Sequence, residues 1–220
     1  MTGVIVKICG VTDPDGAAAC ARAGADWIGL NFWPGSKRAV ERDKARAIAA
    51  AIRAAPRPTE WGGGRAEVVG VFVNEDPEVV AAIDEEVGLD RIQLSGDEPA
   101  PEAKALGRRA IAALRPTCAG DLEPAWALPA EVTVLVDAPA PGYGGSGQLA
   151  DWRLAEALAA SGRRVMLAGG LRPDNVADAV GAVCPFGVDV ASGVESAPGE
   201  KDPALVRAFV RAAKAAGPKR

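Results

Sequence analysis

Short runs of Val, Ile and Leu recur along this chain, and each is followed by an Ala-rich segment whose apolar residues repeat at helical spacing. The runs fall at residues 4–9, 26–32, 67–73, 91–95, 109–114, 132–137, 164–168 and 187–191; the helical patterns cover 14–23, 42–54, 77–87, 101–107, 122–127, 151–161, 173–183 and 203–216. The helical signal is weakest in the fifth. A strand that is always followed by a helix must pair in parallel with its successors, because only a crossover returns the chain to the same end of the sheet. Alternation alone leaves an open doubly wound sheet and a closed barrel as solutions. Eight units without an evident linker fit the closed form better, so the expected fold is α/β: a (β/α)8 TIM barrel of eight parallel strands with outer helices, one domain over residues 1–220. Residues 56–64, which end in Gly62-Gly63-Gly64, read as a mobile loop between the second and third units.

Within the strands a second periodicity appears, because side chains point to alternate faces. Val4, Val6 and Ile8 share one face of the first strand, and Ile5, Lys7 and Cys9 share the other. In the fourth, Ile92 and Leu94 oppose Gln93 and Ser95. In the sixth, Val132, Val134 and Val136 oppose Thr133, Leu135 and Asp137; in the eighth, Val188 and Val190 oppose Gly187, Asp189 and Ala191. A parallel strand covered on both sides is normally apolar throughout. Polar residues gathered on one face toward the carboxyl ends of strands therefore mark the mouth of the barrel, where active sites of this fold lie.

Composition narrows the chemistry. Histidine is absent, which removes Ser-His-Asp and Cys-His catalysis, HExxH metal sites and the usual neutral-pH base; proton transfer falls to carboxylate, thiol, lysine or tyrosine. The four cysteines, Cys9, Cys20, Cys118 and Cys184, lack CxxC spacing, so reduced thiols are expected rather than disulfides or zinc. The net charge of −4 offers no global attraction to nucleic acid or membrane surfaces. With no secretory leader pattern and no bilayer-length apolar stretch, the expected location is the cytoplasm.

Four clusters stand out. Cys9 points into the mouth with Lys7 one layer below, and a neighbouring cation favours the thiolate, the form able to take a proton; the plain alternative is a small buried hydrophobe. Asp137 ends the sixth strand and suits a general acid if burial raises its pKa, or an Asx turn before the prolines that follow. Gly169-Gly170 after the seventh strand and Ser192-Gly193 after the eighth offer backbone amides for an oxyanion where barrels commonly bind phosphate; either pair alone is a turn signal. Lys37 and Arg38 follow the second strand, where a guanidinium is suited to a carboxylate, unless both are ordinary loop charges. The remaining cysteines read as structural.

The segments VKICGVTD, GADWIGLNFWPGSKRAV, VGVFVNEDPE, IQLSGDEP, VDAPAPGYGGSG, AGGLRPDNV and FGVDVASGVESAPGEKD together resemble phosphoribosylanthranilate isomerase, an enzyme family of tryptophan synthesis, over nearly the whole chain. The resemblance implies a (β/α)8 barrel that performs an Amadori rearrangement of a small phosphosugar without metal or organic cofactor, as a monomer or homodimer. It implies that Asp137 protonates the furanose ring oxygen and that Cys9 then removes the proton from C2′. It further implies that Arg38 holds the anthranilate carboxylate, and that Gly170, Ser192 and Gly193 hold the phosphate, with Gly169 beside them and Gly145, Ser146 and Gly147 closing from the other side. Lys7, Gln93 and Asp189 join the substrate-facing set, Asp189 meeting the sugar or the phosphate-loop amides.

Two positions depart from the family pattern: Ser95 stands where the family usually has histidine, and Ala112 where it often has lysine. Neither is one of the two proton-transfer groups. Rival readings are another phosphosugar barrel, such as an epimerase or indole-glycerol-phosphate synthase, and a non-catalytic phosphosugar-binding barrel. The first would want metal-binding histidines or a different lysine and glutamate set, and Cys9 with Asp137 argues against the second.

Overall fold

The computed structural model describes residues 3–139 and 149–217. Eight strands form a closed parallel barrel: β1 (Ile5–Cys9), β2 (Trp27–Asn31), β3 (Glu67–Phe72), β4 (Arg91–Leu94), β5 (Ala110–Leu114), β6 (Thr133–Val136), β7 (Val165–Leu167) and β8 (Gly187–Val190). Each pairs with its successor, and β8 pairs back onto β1, with Lys7 opposite Asp189. Around them lie α1 (Pro14–Arg22), α2 (Arg42–Ala54), α3 (Pro77–Val87), α4 (Ala100–Leu106), α5 (Glu123–Ala127), α6 (Trp152–Ala160), α7 (Val176–Val183) and α8 (Pro203–Ala216).

Local chemistry explains where these helices start. An Asp-Pro pair opens α1, α3 and α8: Asp13, Asp76 and Asp202 accept from N–H groups of the first turn, and the proline occupies a position whose own N–H would have no partner. Helix α7 begins at Val176, three residues later than the sequence pattern suggests. The reason lies in Asn175, whose side chain accepts from the N–H of Arg172 and donates to the carbonyl of Gly170, holding Arg172–Asn175 as a turn.

Strand alternation divides the apolar residues into two cores. Val6, Ile8, Ile28, Leu30, Val134, Val136 and Val188 face the helices. Trp27, Val69, Ile111, Leu135, Met166 and Ala168 fill the interior of the ring. Its floor is closed at the amino ends of the strands, where the guanidinium groups of Arg91 and Arg164 lie 4.1 and 4.0 Å from the ring centroids of Trp27 and Phe186.

Asp26, expected at the start of the second strand, instead serves that floor. It is buried, accepts from the N–H of Val6, and pairs with Arg57 and Lys214. The stretch read from sequence as a mobile loop is tied down by the same cluster: Arg57 also donates to the carbonyl of Trp61, and the Trp61 ring packs over Gly24, where a Cβ would lie 2.4 Å from its edge. With the floor sealed, chemistry is left to the opposite end.

Candidate active site

At the carboxyl ends of the strands, side chains from the ring enclose a cavity of about 480 Å³. Cys9, Asn31, Gln93, Asp137 and Asp189 reach it from five strands or strand ends, and Arg38, Gly169, Gly170, Ser192 and Gly193 from the loops. The volume suits a small ligand. A second cavity, about 590 Å³, lies on the helix side of β4 and β5; mostly apolar, it holds neither the thiol nor the carboxyl groups of the first.

Beneath the cavity floor sits Lys7, fully buried at 0 % exposure, with Nζ 3.0 Å from Oδ1 of Asp189. Cys9 lies one turn of the strand pleat above it. Both need Gly29 on the neighbouring strand: a Cβ there would stand 2.9 Å from Sγ of Cys9 and 3.3 Å from Nζ of Lys7. The buried ammonium is thus matched by one carboxylate and overlaid by one thiol. Burial pulls the Lys7 pKa down, but the charge on Asp189, joined by that of Cys9 when the thiol is ionised, outweighs it and leaves it raised.

Lys7 favours the Cys9 thiolate, as the sequence suggests, but two other influences oppose it. Enclosure of the sulfur raises its pKa, Lys7 lowers it, and the charge on Asp189 raises it again; the balance lies above the ordinary thiol value. The resting group is a thiol. Asp137 is also pushed up, first by burial, against the opposing N–H of Ala138, and further by Asp189. A carboxyl group that holds its proton more tightly is what a general acid requires.

Asp189 was expected to meet the sugar or the phosphate-loop amides, yet its Oδ1 is committed to Lys7. Gln93 is buried and donates through Nε2 to Oγ of Ser95 at 2.9 Å, while its Oε1 has no partner among the described residues. The hydroxyl of Ser95 thus occupies the end of the glutamine that would otherwise need another acceptor.

Arg38 reaches the mouth by crossing Gly10, whose φ of 71° is left-handed and where a Cβ would fall 2.3 Å from Cδ of the arginine. Its Nε and Nη2 donate to Oε1 and Oε2 of Glu195 at 2.8 and 2.7 Å. The bidentate carboxylate contact anticipated for Arg38 is therefore already made within the protein along one edge of the guanidinium. Lys37 is exposed at the rim.

After β8 the chain forms a one-turn 3-10 segment, Ser192–Val194, and then a hairpin of β9 (Glu195–Ala197) and β10 (Glu200–Lys201) that the sequence pattern did not reveal. Gly193 packs onto the preceding loop so closely that a Cβ would sit 2.0 Å from the carbonyl oxygen of Leu171. Gly169 and Gly170 both have positive φ, 82° and 61°. Loops seven and eight thus press together along their backbones, bringing Gly169, Gly170, Ser192 and Gly193 to one side of the cavity. Gly145, Ser146 and Gly147 lie outside the described residues.

Sequence reasoning missed Glu195, Lys201, Arg115, Asn31 and Trp33. Arg115, just past β5, lines the cavity and lowers the Asp137 pKa by its charge, although burial and Asp189 prevail. Period-two extrapolation one residue beyond β5 would have found it. Of the other cysteines, Cys20 is buried in α1, and Cys118 and Cys184 are exposed at helix ends.

A family profile described as N-(5'phosphoribosyl)anthranilate (PRA) isomerase matches residues 6–212. The chain is 48% identical over 214 residues to an N-(5'-phosphoribosyl)anthranilate isomerase of Myxococcus xanthus, covering 96% of each chain. It is 48% identical over 217 residues to one of Roseiflexus castenholzii, covering 97% of this chain and 99% of the relative. Its fold is similar to the crystal structure of phosphoribosyl anthranilate isomerase from Thermotoga maritima, with a TM-score of 0.83 and 37% identity over 96% of this chain and 99% of the other. It is likewise similar to a phosphoribosyl anthranilate isomerase solved in complex with reduced 1-(o-carboxyphenylamino)-1-deoxyribulose 5-phosphate, with a TM-score of 0.80 and 34% identity over 96% of this chain and 99% of that one.

Proposed function

The chain belongs to the N-(5'-phosphoribosyl)anthranilate isomerase family, and from that membership we propose that Asp137 and Cys9 are the acid and base of its reaction. The family's activity is an aldose-ketose isomerisation in tryptophan biosynthesis, converting N-(5-phosphoribosyl)anthranilate into 1-(2-carboxyphenylamino)-1-deoxyribulose 5-phosphate. The observation that carries the assignment is the shared cavity: one thiol and one carboxyl group, both with raised pKa, line the same space at the mouth of the barrel.

Asp137 gives its proton to the furanose ring oxygen, and the C1′–O bond breaks as the anilino nitrogen pushes in to form a Schiff base. The iminium acidifies the C2′–H bond, and the Cys9 thiolate takes that proton. The resulting enolamine then gains a proton at C1′ and gives up the proton of its C2′ hydroxyl, leaving the aminoketone. Lys7 stabilises the thiolate by its charge from below, and its own charge is balanced by Asp189. The Oε1 of Gln93, without a partner among the described residues, accepts from a sugar hydroxyl. Arg38 receives the anthranilate carboxylate, and the phosphate lies against loops seven and eight at Gly169, Gly170, Ser192 and Gly193; Gly145, Ser146 and Gly147 join them on sequence grounds alone.

The reading extends to a single barrel domain over residues 1–220 that works in the cytoplasm, as a monomer or homodimer, on a free phosphosugar. Among the described residues no helix is long and apolar enough to cross a membrane.

The test is turnover of substrate generated in place, followed by loss of its anthranilate-type fluorescence. Cys9→Ser and Asp137→Asn should each lower kcat by about two orders of magnitude or more, the usual contribution of a positioned acid or base. Turnover that survives both substitutions overturns the assignment.

A further inference from the structure

The mouth contains more machinery around Arg38 than an ordinary ion pair requires. Glu195 is almost wholly buried, its side chain 5 % exposed, and it accepts from three directions: Arg38, Nζ of Lys201 at 2.6 Å and the N–H of Gly199 at 3.2 Å. Lys201 lies opposite Glu195 in the β9–β10 hairpin, is 2 % exposed, and is pinned by a further bond to the carbonyl of Ala191. Lys201 alone already balances the glutamate. Adding Arg38 gives two cations to one carboxylate, and Arg38 is the member that stays partly open to the cavity, at 22 %. The excess positive charge therefore sits at the cavity wall, where it favours an anion.

The geometry of the guanidinium says where that anion goes. Five N–H bonds lie in one plane, so the group has a side edge, Nε with one Nη, and an end edge, Nη1 with Nη2. Glu195 occupies the side edge. That contact fixes the plane and the rotation of the group, and leaves the end edge as a second two-donor fork of the kind that matches a carboxylate.

We propose that Glu195 is the positioning residue that aims the end edge of Arg38 at the aromatic carboxylate of the substrate, and that Lys201 keeps Glu195 charged and in place for this purpose. The inference rests on the reading that Arg38 receives that carboxylate. Glu195 touches no reacting atom; it acts through Arg38 by removing the freedom of a long side chain before substrate arrives. It should therefore govern selectivity for the ortho-carboxylated ring more than the rate of the chemical steps.

The experiment compares N-(5-phosphoribosyl)anthranilate with the aniline analogue that lacks the carboxylate, both generated in place, for the wild type, Arg38→Met, Glu195→Gln and Glu195→Asp. Because Glu195→Gln leaves Lys201 buried without its counter-ion, Glu195→Gln combined with Lys201→Met is measured as well. The wild type should prefer the carboxylated substrate in kcat/KM by on the order of a hundredfold, the worth of a charge-assisted bidentate contact. Arg38→Met should abolish the preference. Both glutamine variants should reduce it to about tenfold or less, through KM, with kcat/KM for N-(5-phosphoribosyl)anthranilate falling at least about tenfold further than that for the aniline analogue. Glu195→Asp should recover part of it. A preference that survives in the glutamine variants while Arg38→Met abolishes it overturns this inference alone, as does an equal fall for both substrates. A preference that survives Arg38→Met overturns the reading of Arg38 and this inference with it.

Discussion

Replacing Lys7 by methionine separates the structural and chemical duties of the cation beneath the thiol. Lys7 is fully buried and its Nζ lies 3.0 Å from Oδ1 of Asp189. Methionine keeps most of the volume and removes the charge, leaving a carboxylate in the barrel interior without its partner. Breaking a buried pair from one side costs about 3–5 kcal/mol, which for a chain of this size lowers Tm by about 6–20 °C. Lys7→Met together with Asp189→Leu removes both charges, and stability should return to within about 2 kcal/mol of wild type or exceed it. Turnover should not return, since the thiolate at Cys9 has then lost its nearest cation. The sign with pH follows from the raised Lys7 pKa: the pair stabilises the fold fully below the unfolded value of 10.5 and fades as pH rises through the higher folded value. The single variant's deficit should accordingly be constant from pH 7 to 9 and shrink only above 10.5. Thermal unfolding followed by far-ultraviolet circular dichroism, beside the fluorescence assay, reads both quantities. A single variant as stable as wild type would refute the structural argument, and a double variant with wild-type kcat would refute the electrostatic one.

Two further outcomes are expected. Gly29→Ala places a Cβ 2.9 Å from the Cys9 sulfur, so the protein should lose about 1–3 kcal/mol by overpacking and kcat should fall about tenfold or more as Sγ is displaced; unchanged kcat with unchanged stability would show that the strand has slack the structure does not suggest. In the pH profile of kcat/KM, the working state needs Asp137 protonated and Cys9 ionised, whereas both groups hold their protons more tightly than usual. That state is a minor one at neutral pH. The profile should rise with pH to an acid limb above the ordinary carboxyl value of 3.8, and fall beyond an alkaline limb above the ordinary thiol value of 9.0; an alkaline limb well below pH 9 contradicts it.

Much of the barrel was legible because its signals are local. The period-two alternation of a strand and the spacing of a helix are written in neighbouring residues, and inward-facing Lys7, Cys9, Gln93, Asp137 and Asp189 could be read from parity alone. The Asn175 turn moved the start of α7 because a side chain claimed backbone groups that a helix would otherwise use. Glu195 was invisible for a different reason: its partner Arg38 lies 157 positions away, and nothing around it distinguishes it from a surface glutamate. The net balance at Cys9 was not legible on the same account. The lysine that favours the thiolate is two residues distant, while the burial and the Asp189 charge that oppose it come from parts of the chain far away in sequence.

The barrel closes where β8 meets β1, and the Lys7–Asp189 contact crosses that seam over 182 positions of sequence. A ribosome adding 5–20 residues per second needs roughly 9–36 s to make the aspartate after the lysine has been made. Throughout that interval Lys7 lacks the carboxylate that balances it in the folded barrel. The last strand therefore brings both the closing hydrogen bonds and the charge that balances Lys7, so the seam and the base of the cavity are completed by the same late segment of the chain.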